Sequence, residues 1–209
     1  DALSVYSDNI LGVDPDSYAV EKARLQPYKE VRQGTAESTE FDKDLFDAVF
    51  CWAVFDVVDH KRGLSELNRI LKVGGKLLLT GKNNNYFTDD VLAYKAEKNA
   101  YLKAFPNKFT DLKSVLSNFD KLGFELDKLL LFPRRGDFGL LEFVDQGVNL
   151  KDDYIGYEYL IIGHKVSDQC SDWHLGENLE ERFSRTATVM AKNSEFSGPE
   201  EMFESVGID

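Results

Sequence analysis

The sequence predicts an α/β protein in which helices cover both faces of an open, mostly parallel sheet. Strands and helices alternate through roughly the first two-thirds of the 209 residues, which is the order of a doubly wound sheet. The strand predicted at Ala48–Cys51 is apolar without alternation, as expected when both of its faces are covered. The pair Gly74-Gly75 separates a helical leucine pattern from the next apolar strand.

The first elements follow from short apolar runs and capping residues. Ile10–Val13 predicts a short buried strand that ends at Asp14. Asp16 or Ser17 can cap the helix that follows, whose alanines and valine form a small apolar face. A second short strand is predicted at Glu30–Gln33.

The middle of the chain contains three helix patterns. Apolar residues recur at helical spacing from Leu64 to Leu71, and the glycine pair then ends this helix and starts the strand Lys76–Thr80. A second helix is predicted to start at Thr88, where acidic residues suit the positive end of the helix dipole, and to stop at Pro106. Thr110 is the predicted cap of a third helix.

Two strong strand patterns are followed by a C-terminal segment with a different residue pattern. The strands are predicted at Phe124–Phe132 and Tyr157–His164, with a long loop or an inserted hairpin at Pro133–Gly156. After Val166 a polar stretch leads into apolar residues at helical spacing, which predict an α-helical C-terminal tail. We therefore expect a sheet domain at residues 1–166 and a helical appendage or lead-in segment at residues 167–209.

Composition narrows the classes of partner. The formal net charge is −12, with 25 Lys and Arg against 37 Asp and Glu, so a phosphate backbone is repelled and a nucleic-acid partner is not expected. No apolar stretch is long enough to span a membrane, and a membrane partner is not expected. The two cysteines, Cys51 and Cys170, give neither metal-ligand spacing nor a disulfide framework, so no metal and a cytoplasmic location are predicted.

Asp14 is the first candidate for a binding role. A carboxylate at the carboxyl end of a strand can accept hydrogen bonds from both hydroxyls of a ribose, a geometry that few side chains match. The alternative is a turn or capping acid, because Asp14-Pro15-Asp16 also suits a tight turn.

The order and the sequences of these segments resemble those of the class I S-adenosylmethionine-dependent methyltransferases. The resemblance is carried by Asn9–Asp16, by the strand at Leu45–Cys51, and by Lys72–Lys76, which is similar to the Leu-Lys-Pro-Gly-Gly turn of that superfamily. It is strongest over Gly12–Gly81. It implies a Rossmann-like sheet with an antiparallel last strand, S-adenosylmethionine as the cofactor, and methyl transfer to a small molecule.

The resemblance also implies the cofactor contacts. Thr35 stands in the adenine-reading loop where an aspartate is common, so a hydroxyl replaces a charged acceptor. Trp52 can stack on the cofactor, although a core tryptophan is the alternative, as a plain surface loop is for Gly34–Glu37. The predicted cofactor-binding residues are Asp14, Pro15, Thr35, Ala36, Glu37, Cys51 and Trp52.

No catalytic residue is fixed by the resemblance, and three are candidates. Asp56 stands where relatives often have a histidine, and Asp59 matches the acid of their His-Val-Pro-Asp stretch. His60 comes one position later, where a solvated helix start is the alternative. Tyr86 follows a strand at the functional edge of the sheet, with an ordinary loop tyrosine as the alternative.

One part of the family pattern is missing from the sequence. These enzymes begin with a central strand and a Gly-x-Gly-type loop, whereas Asp1–Ser7 resembles only the remnant of the helix that follows that loop. The tail resembles the helical lead-in to that strand. A permuted order, the front of a second module, or an incomplete list of residues would each explain this. If the tail leads into that strand, it ends beside Asp1 at a gap in the sheet.

Two other functions compete with the enzyme. A non-catalytic binding or partner subunit would keep the sheet without the glycine loop, and the tail could then mediate an oligomer. A nicotinamide-dependent oxidoreductase would also use an acid after a strand. The Gly74-Gly75 turn and the Thr35–Glu37 loop favour the methyltransferase over that oxidoreductase.

Overall fold

The computed structural model describes residues 8–87, 89–102, 108–145 and 154–168. Strands and helices alternate along these residues, which confirms the predicted α/β class. The strands are β1 (Leu11–Asp14), β2 (Glu30–Gln33), β3 (Phe46–Cys51), β4 (Leu71–Lys82), β5 (Phe124–Phe132), β6 (Val144–Asp145) and β7 (Glu158–Lys165). The helices are α1 (Ser17–Ala23), α2 (His60–Ile70), α3 (Val91–Leu102), α4 (Leu112–Ser117) and α5 (Asp137–Leu140).

The strands form two sheets rather than one. β1 and β2 pair in parallel, and the larger sheet has the order β3-β4-β7-β5-β6. β3 and β4 are parallel, and β7 is antiparallel to both of its neighbours, as predicted for the last strand. Among the described residues no strand joins the β1–β2 pair to β3. Within the described residues the sheet is therefore split, and none of these residues forms the central strand that the resemblance implies.

A common hydrophobic core holds the two sheets together. Leu77 and Leu79 of β4 and Ile161 of β7 are fully buried in it. Leu11 and Val13 of β1 pack against the same cluster, so the smaller sheet shares this core. Each such side chain favours burial by about 1.5–3 kcal/mol.

The loop after β2 is tied to α2 by a buried carboxylate. Glu66 accepts hydrogen bonds from the backbone N–H and the hydroxyl of Thr39 and from the guanidinium of Arg69. Arg69 in turn donates to the carbonyl of Phe41, at 2.7 Å. These side-chain bonds connect the smaller sheet to the helix that precedes β4.

The fully buried ammonium of Lys165, at the end of β7, joins residues from three segments of the chain. Nζ of Lys165 lies 2.8 Å from Oδ1 of Asp44, 2.7 Å from Oδ1 of Asp168 and 2.8 Å from the carbonyl oxygen of Leu71. Its charge is thus paired and its hydrogen-bonding capacity is used, which is what burial of a lysine requires.

Four of the described helices begin after an aspartate whose carboxylate accepts a hydrogen bond from the first turn. These are Asp16 for α1, Asp59 for α2, Asp90 for α3 and Asp111 for α4. Such caps satisfy N–H groups that have no partner inside the helix. The prediction for α1 is confirmed, whereas Thr110 as the cap of α4 is wrong. The Thr110 hydroxyl lies instead 2.7 Å from that of buried Tyr159, and this tertiary contact takes it away from the helix.

The glycine pair lies within β4 rather than at the end of α2, which ends at Ile70. The pairing of β3 with β4 shifts register between Phe46 and Ala48, so the intervening residues of β4 form an irregularity. Gly74 has a φ of 83°, and a Cβ on Gly75 would lie 2.8 Å from the carbonyl oxygen of Lys72. Both positions therefore require glycine.

Two further predictions differ in part from the structure. The segment predicted as a loop or hairpin contains α5 and β6, which pairs antiparallel with β5. The expectation that both faces of β3 are covered is wrong for Phe50, which is 50% exposed. Its ring stacks on Trp52 with the centroids 5.7 Å apart, at a strand whose outer edge has no partner in the described chain.

Some predictions concern residues outside the described ranges. α3 begins at Val91, and the carboxylate of Asp90 accepts from the N–H of Ala93, but the predicted helix ends Thr88 and Pro106 are not among the described residues. The tail from residue 169 onward, and with it the predicted domain division, also lies outside them. None of the described helices combines the length and the apolar character that crossing a membrane would demand.

Candidate active site

Asp14 is half-buried at the carboxyl end of β1, and hydrogen bonds fix the surrounding turn. Its Oδ1 accepts a hydrogen bond from the N–H of Asp16 at 2.8 Å. The side-chain amide of Gln33 donates to the carbonyl of Pro15 at 3.0 Å, which ties the turn to the end of β2. Within the described chain, Oδ2 of Asp14 has no hydrogen-bond partner, so this carboxylate can accept hydrogen bonds from the hydroxyl groups of a ligand.

The loop after β2 forms a tight turn in which Thr35 and Ser38 exchange backbone hydrogen bonds of 3.4 and 3.1 Å. Thr35 is exposed, and Ala36 packs against the core. The side chain of Glu37 turns toward the next loop, where its Oε1 accepts from the N–H of Asp59 at 2.9 Å. The N–H groups of Ala36 and Glu37 have no partner among the described residues and remain able to donate to a ligand.

Cys51 lies at the end of β3, buried between these loops. Burial raises the pKa of its thiol to about 12, and the nearby carboxylates of Asp56 and Glu37 add to the shift. The thiol is therefore neutral at physiological pH and serves as a packing group.

The chain turns sharply after β3 through a left-handed residue. Ala53 has a φ of 54°, which is uncommon for a residue other than glycine. Its N–H donates to the hydroxyl of Thr80 at 2.7 Å, and this bond holds the turn against β4. The turn leaves Trp52 45% exposed, with its ring centroid 4.8 Å from that of Phe138. Strained backbone of this kind is concentrated at functional sites.

A cavity of about 150 Å³ lies below this turn, at the carboxyl ends of β3 and β4. Asp56 and Lys82 form an ion pair in it, with 2.8 Å between Oδ2 and Nζ, and their side chains are 11% and 14% exposed. Oδ1 of Asp56 is buried and has no hydrogen-bond partner in the described chain. The lining comprises Trp52, Ala53, Asp56, Thr80, Gly81, Lys82, Phe138 and Glu158.

The other two catalytic candidates do not line this cavity. His60 is the first residue of α2, with its ring centroid 4.5 Å from that of Phe55, and burial lowers its pKa. Tyr86 is buried in a second cluster with Phe109 and Tyr157. Only Asp56 of the three predicted residues lies in the cavity, and a catalytic role for any of them stays a prediction.

Several cavity residues were absent from the sequence-based site. Lys82 ends β4 two residues after Thr80, and its position at the carboxyl end of a strand was a usable signal. Glu158 begins the antiparallel strand β7, and Phe138 lies in the short helix α5. Only the strand order of the sheet brings these two to the same cavity, so the sequence offered no local signal for them.

The described residues fit part of S-adenosylmethionine. Asp14 offers a carboxylate for the ribose hydroxyls, and the turn at Thr35–Glu37 offers a hydroxyl and free N–H groups for the adenine edge. The amino-acid end of the cofactor has no evident partner within the ranges that the structure describes. The donor set therefore suits the nucleoside portion of the cofactor.

Comparisons with known proteins find similarity to methyltransferases. A family model described as "Methyltransferase domain" matches residues 1–79. The ubiquinone/menaquinone biosynthesis C-methyltransferase UbiE of Geobacter sp. (strain M21) is 28% identical over 141 residues, which cover 63% of this chain and 57% of the relative. An S-adenosylmethionine-dependent methyltransferase of Thermotoga maritima, described as a possible histamine N-methyltransferase, is 27% identical with a TM-score of 0.55, covering 74% of this chain and 72% of that one. Residues 1–79 thus match a methyltransferase domain, and the chain is similar to S-adenosylmethionine-dependent methyltransferases.

More distant structures of this family agree on the fold. The YcgJ protein of Bacillus subtilis has a TM-score of 0.54 at 20% identity, covering 79% of this chain and 86% of that one. A geranyl diphosphate methyltransferase in complex with S-adenosylmethionine has a TM-score of 0.54 at 17% identity, covering 78% and 73%. These structures confirm the predicted fold, and the family model together with the more similar relatives supports the predicted resemblance and its cofactor. The chain spans only 57% of the length of its curated relative UbiE.

Proposed function

We propose that the protein transfers a methyl group from S-adenosylmethionine to a small-molecule acceptor. The observation that carries the proposal is the bond between Glu37 and the N–H of Asp59, which joins the predicted adenine loop to the loop beside the cavity. A nucleoside site and a cavity for a second molecule are thus adjacent at one edge of the sheets, where open α/β sheets bind ligands.

The residues of the chain act by binding and positioning. The bound cofactor supplies an activated methyl group, so the protein mainly has to align the acceptor with it, and such alignment accounts for a large part of the rate. Asp14 holds the ribose, and Thr35 with the N–H groups after it reads the adenine. The aromatic rings of Trp52 and Phe138 cover the cavity and limit the access of water to the reacting atoms.

A small acceptor is supported by size, charge and relatives. The cavity of about 150 Å³ suits a small group. The net charge of −12 disfavours nucleic acid and anionic membrane surfaces. UbiE is named as a methyltransferase of quinone biosynthesis and the Thermotoga protein as a possible histamine methyltransferase. A cytoplasmic location and an oligomer formed through the tail are part of the same proposal.

Isothermal titration calorimetry with S-adenosylhomocysteine tests the cofactor assignment, with NADH as the matched control for an oxidoreductase. We expect S-adenosylhomocysteine to bind and NADH not to bind. Transfer of a radiolabelled methyl group from S-adenosylmethionine to a panel of small amines, phenols and quinones then tests the reaction. The absence of S-adenosylhomocysteine binding would refute the proposal. Binding without transfer to any acceptor would favour the non-catalytic partner subunit.

A further inference from the structure

The cavity contains a carboxylate oxygen that lacks a donor. Asp56 is 8% exposed, and its Oδ1 is buried with no hydrogen-bond partner in the described chain. Its other oxygen is occupied by the Lys82 ammonium at 2.8 Å. A buried carboxylate oxygen without a donor is costly to maintain, and a ligand that brings an N–H or O–H removes the cost.

Charge and aromatic surface define the ligand further. Asp56 and Glu158 bring two negative charges to the cavity and Lys82 one positive charge, so the formal balance is −1. This balance favours a cationic group over an anionic one. The exposed ring of Trp52, beside that of Phe138, offers a face on which a flat ring or a cation can stack.

The cavity volume suits a single ring. A cavity of about 150 Å³ is roughly the size that accommodates benzene in a protein interior. A fused-ring or quinone acceptor with a long side chain would have to extend out of it.

We propose that this cavity is the acceptor site and that its ligand is a small amine on a single flat ring, with an amine N–H donating to Oδ1 of Asp56. The inference rests on the proposed function and assigns its substrate class. The bound ammonium first loses one proton to solvent. In the transfer step the lone pair of the resulting amine forms the new N–C bond while the C–S bond breaks, and the sulfur keeps the electron pair. The nitrogen becomes an alkylammonium that retains its proton, and the acids of the cavity stabilise this new positive charge.

Fluorescence of Trp52 offers a direct binding assay. Trp173→Phe leaves Trp52 as the sole tryptophan. In this background, 2-phenylethylamine, 2-phenylethanol and phenylacetate are titrated with and without saturating S-adenosylhomocysteine. We expect the amine to change the Trp52 emission and to bind at least about tenfold more tightly than phenylacetate, with the alcohol between them.

Asp56→Asn keeps the shape of the side chain and removes its charge. We expect it to weaken amine binding at least about tenfold while S-adenosylhomocysteine affinity stays within about twofold. Asp47→Asn is the matched control, because Asp47 lies at the other end of β3 with its side chain 86% exposed, and it should change neither affinity. Circular dichroism checks the fold of both variants.

Two results would overturn the inference: phenylacetate binding as tightly as the amine, or a folded Asp56→Asn variant that binds the amine normally. The wild-type order of affinities decides the question even if the Asp56 variant does not fold. The two failures can be told apart. If S-adenosylhomocysteine does not bind, the proposed function is refuted, and the amine titrations without S-adenosylhomocysteine still test the cavity.

Discussion

Replacement of Asp14 by alanine is expected to weaken binding of S-adenosylhomocysteine by a factor of about 10 to 150. Only one oxygen of this carboxylate has a partner in the described chain, the N–H of Asp16 at 2.8 Å, so most of its capacity to accept hydrogen bonds faces the ligand. A hydrogen bond to a charged group contributes about 1.5–3 kcal/mol. Because Asp14 is only half-buried and water can replace part of what is lost, we count the loss of one full bond. Each 1.4 kcal/mol is about a factor of ten in affinity.

The Asp14→Asn variant distinguishes the contribution of the carboxylate charge to binding from its contribution to the turn. The asparagine oxygen can still accept from the Asp16 N–H, so the turn is kept, and we expect an affinity between those of the wild type and the alanine variant. Isothermal titration calorimetry measures the affinities, and circular dichroism confirms the fold. A folded Asp14→Ala variant with unchanged affinity would show that the cofactor ribose lies elsewhere.

Three further predictions concern the adenine loop and the stability of the fold. Thr35→Asp should bind S-adenosylhomocysteine at least as tightly as the wild type, because a carboxylate is the stronger acceptor for the adenine amine; a large loss in calorimetry would show that the loop runs elsewhere. Lys165→Met should lower the free energy of unfolding in urea by about 1–3 kcal/mol, because the buried carbonyl of Leu71 loses its donor while both acids can return to water; an unchanged midpoint would contradict this role. For Glu66, the opposing effect of burial is outweighed by hydrogen bonds from Arg69 and Thr39, so its pKa falls from 4.5 to about 2. Its contribution to stability is thus present above pH 4.5 and lost as the pH falls toward 2. Urea titrations at a series of pH values should show this loss in the wild type and a smaller one in Glu66→Gln.

Elements defined by local patterns were predictable from the sequence. β5 has the predicted bounds, Phe124–Phe132, because apolar residues there first alternate with charged ones and then form a short apolar run, which is typical of a strand. Asp16 was identified as a possible cap because an acid directly before a helical pattern has few other uses. Thr110 and Asp111 were both able to cap α4, and the distant partner Tyr159 decided between them.

The two halves of the site differ in how far the sequence revealed them. Asp14 and Thr35 follow strands directly, so their position at the sheet edge could be read from the chain. The cavity also needs Phe138 and Glu158, which come from α5 and from an antiparallel strand far along the chain. Their approach to Trp52 depends on the strand order of the larger sheet, which no local pattern encodes.

The split between the sheets bears on how the protein fluctuates. Asp14 and Thr35 belong to the smaller sheet, while the cavity residues belong to the larger one. In the described chain the two are connected by core packing and by the side-chain bonds of Glu37 and Glu66, without a shared ladder of backbone hydrogen bonds. Segments connected in this way open more readily than a continuous sheet, and amide hydrogen exchange in β1 and β2 would be faster than in β4 and β7. A ligand that contacts both sheets would slow that exchange, so binding and local order are thermodynamically linked.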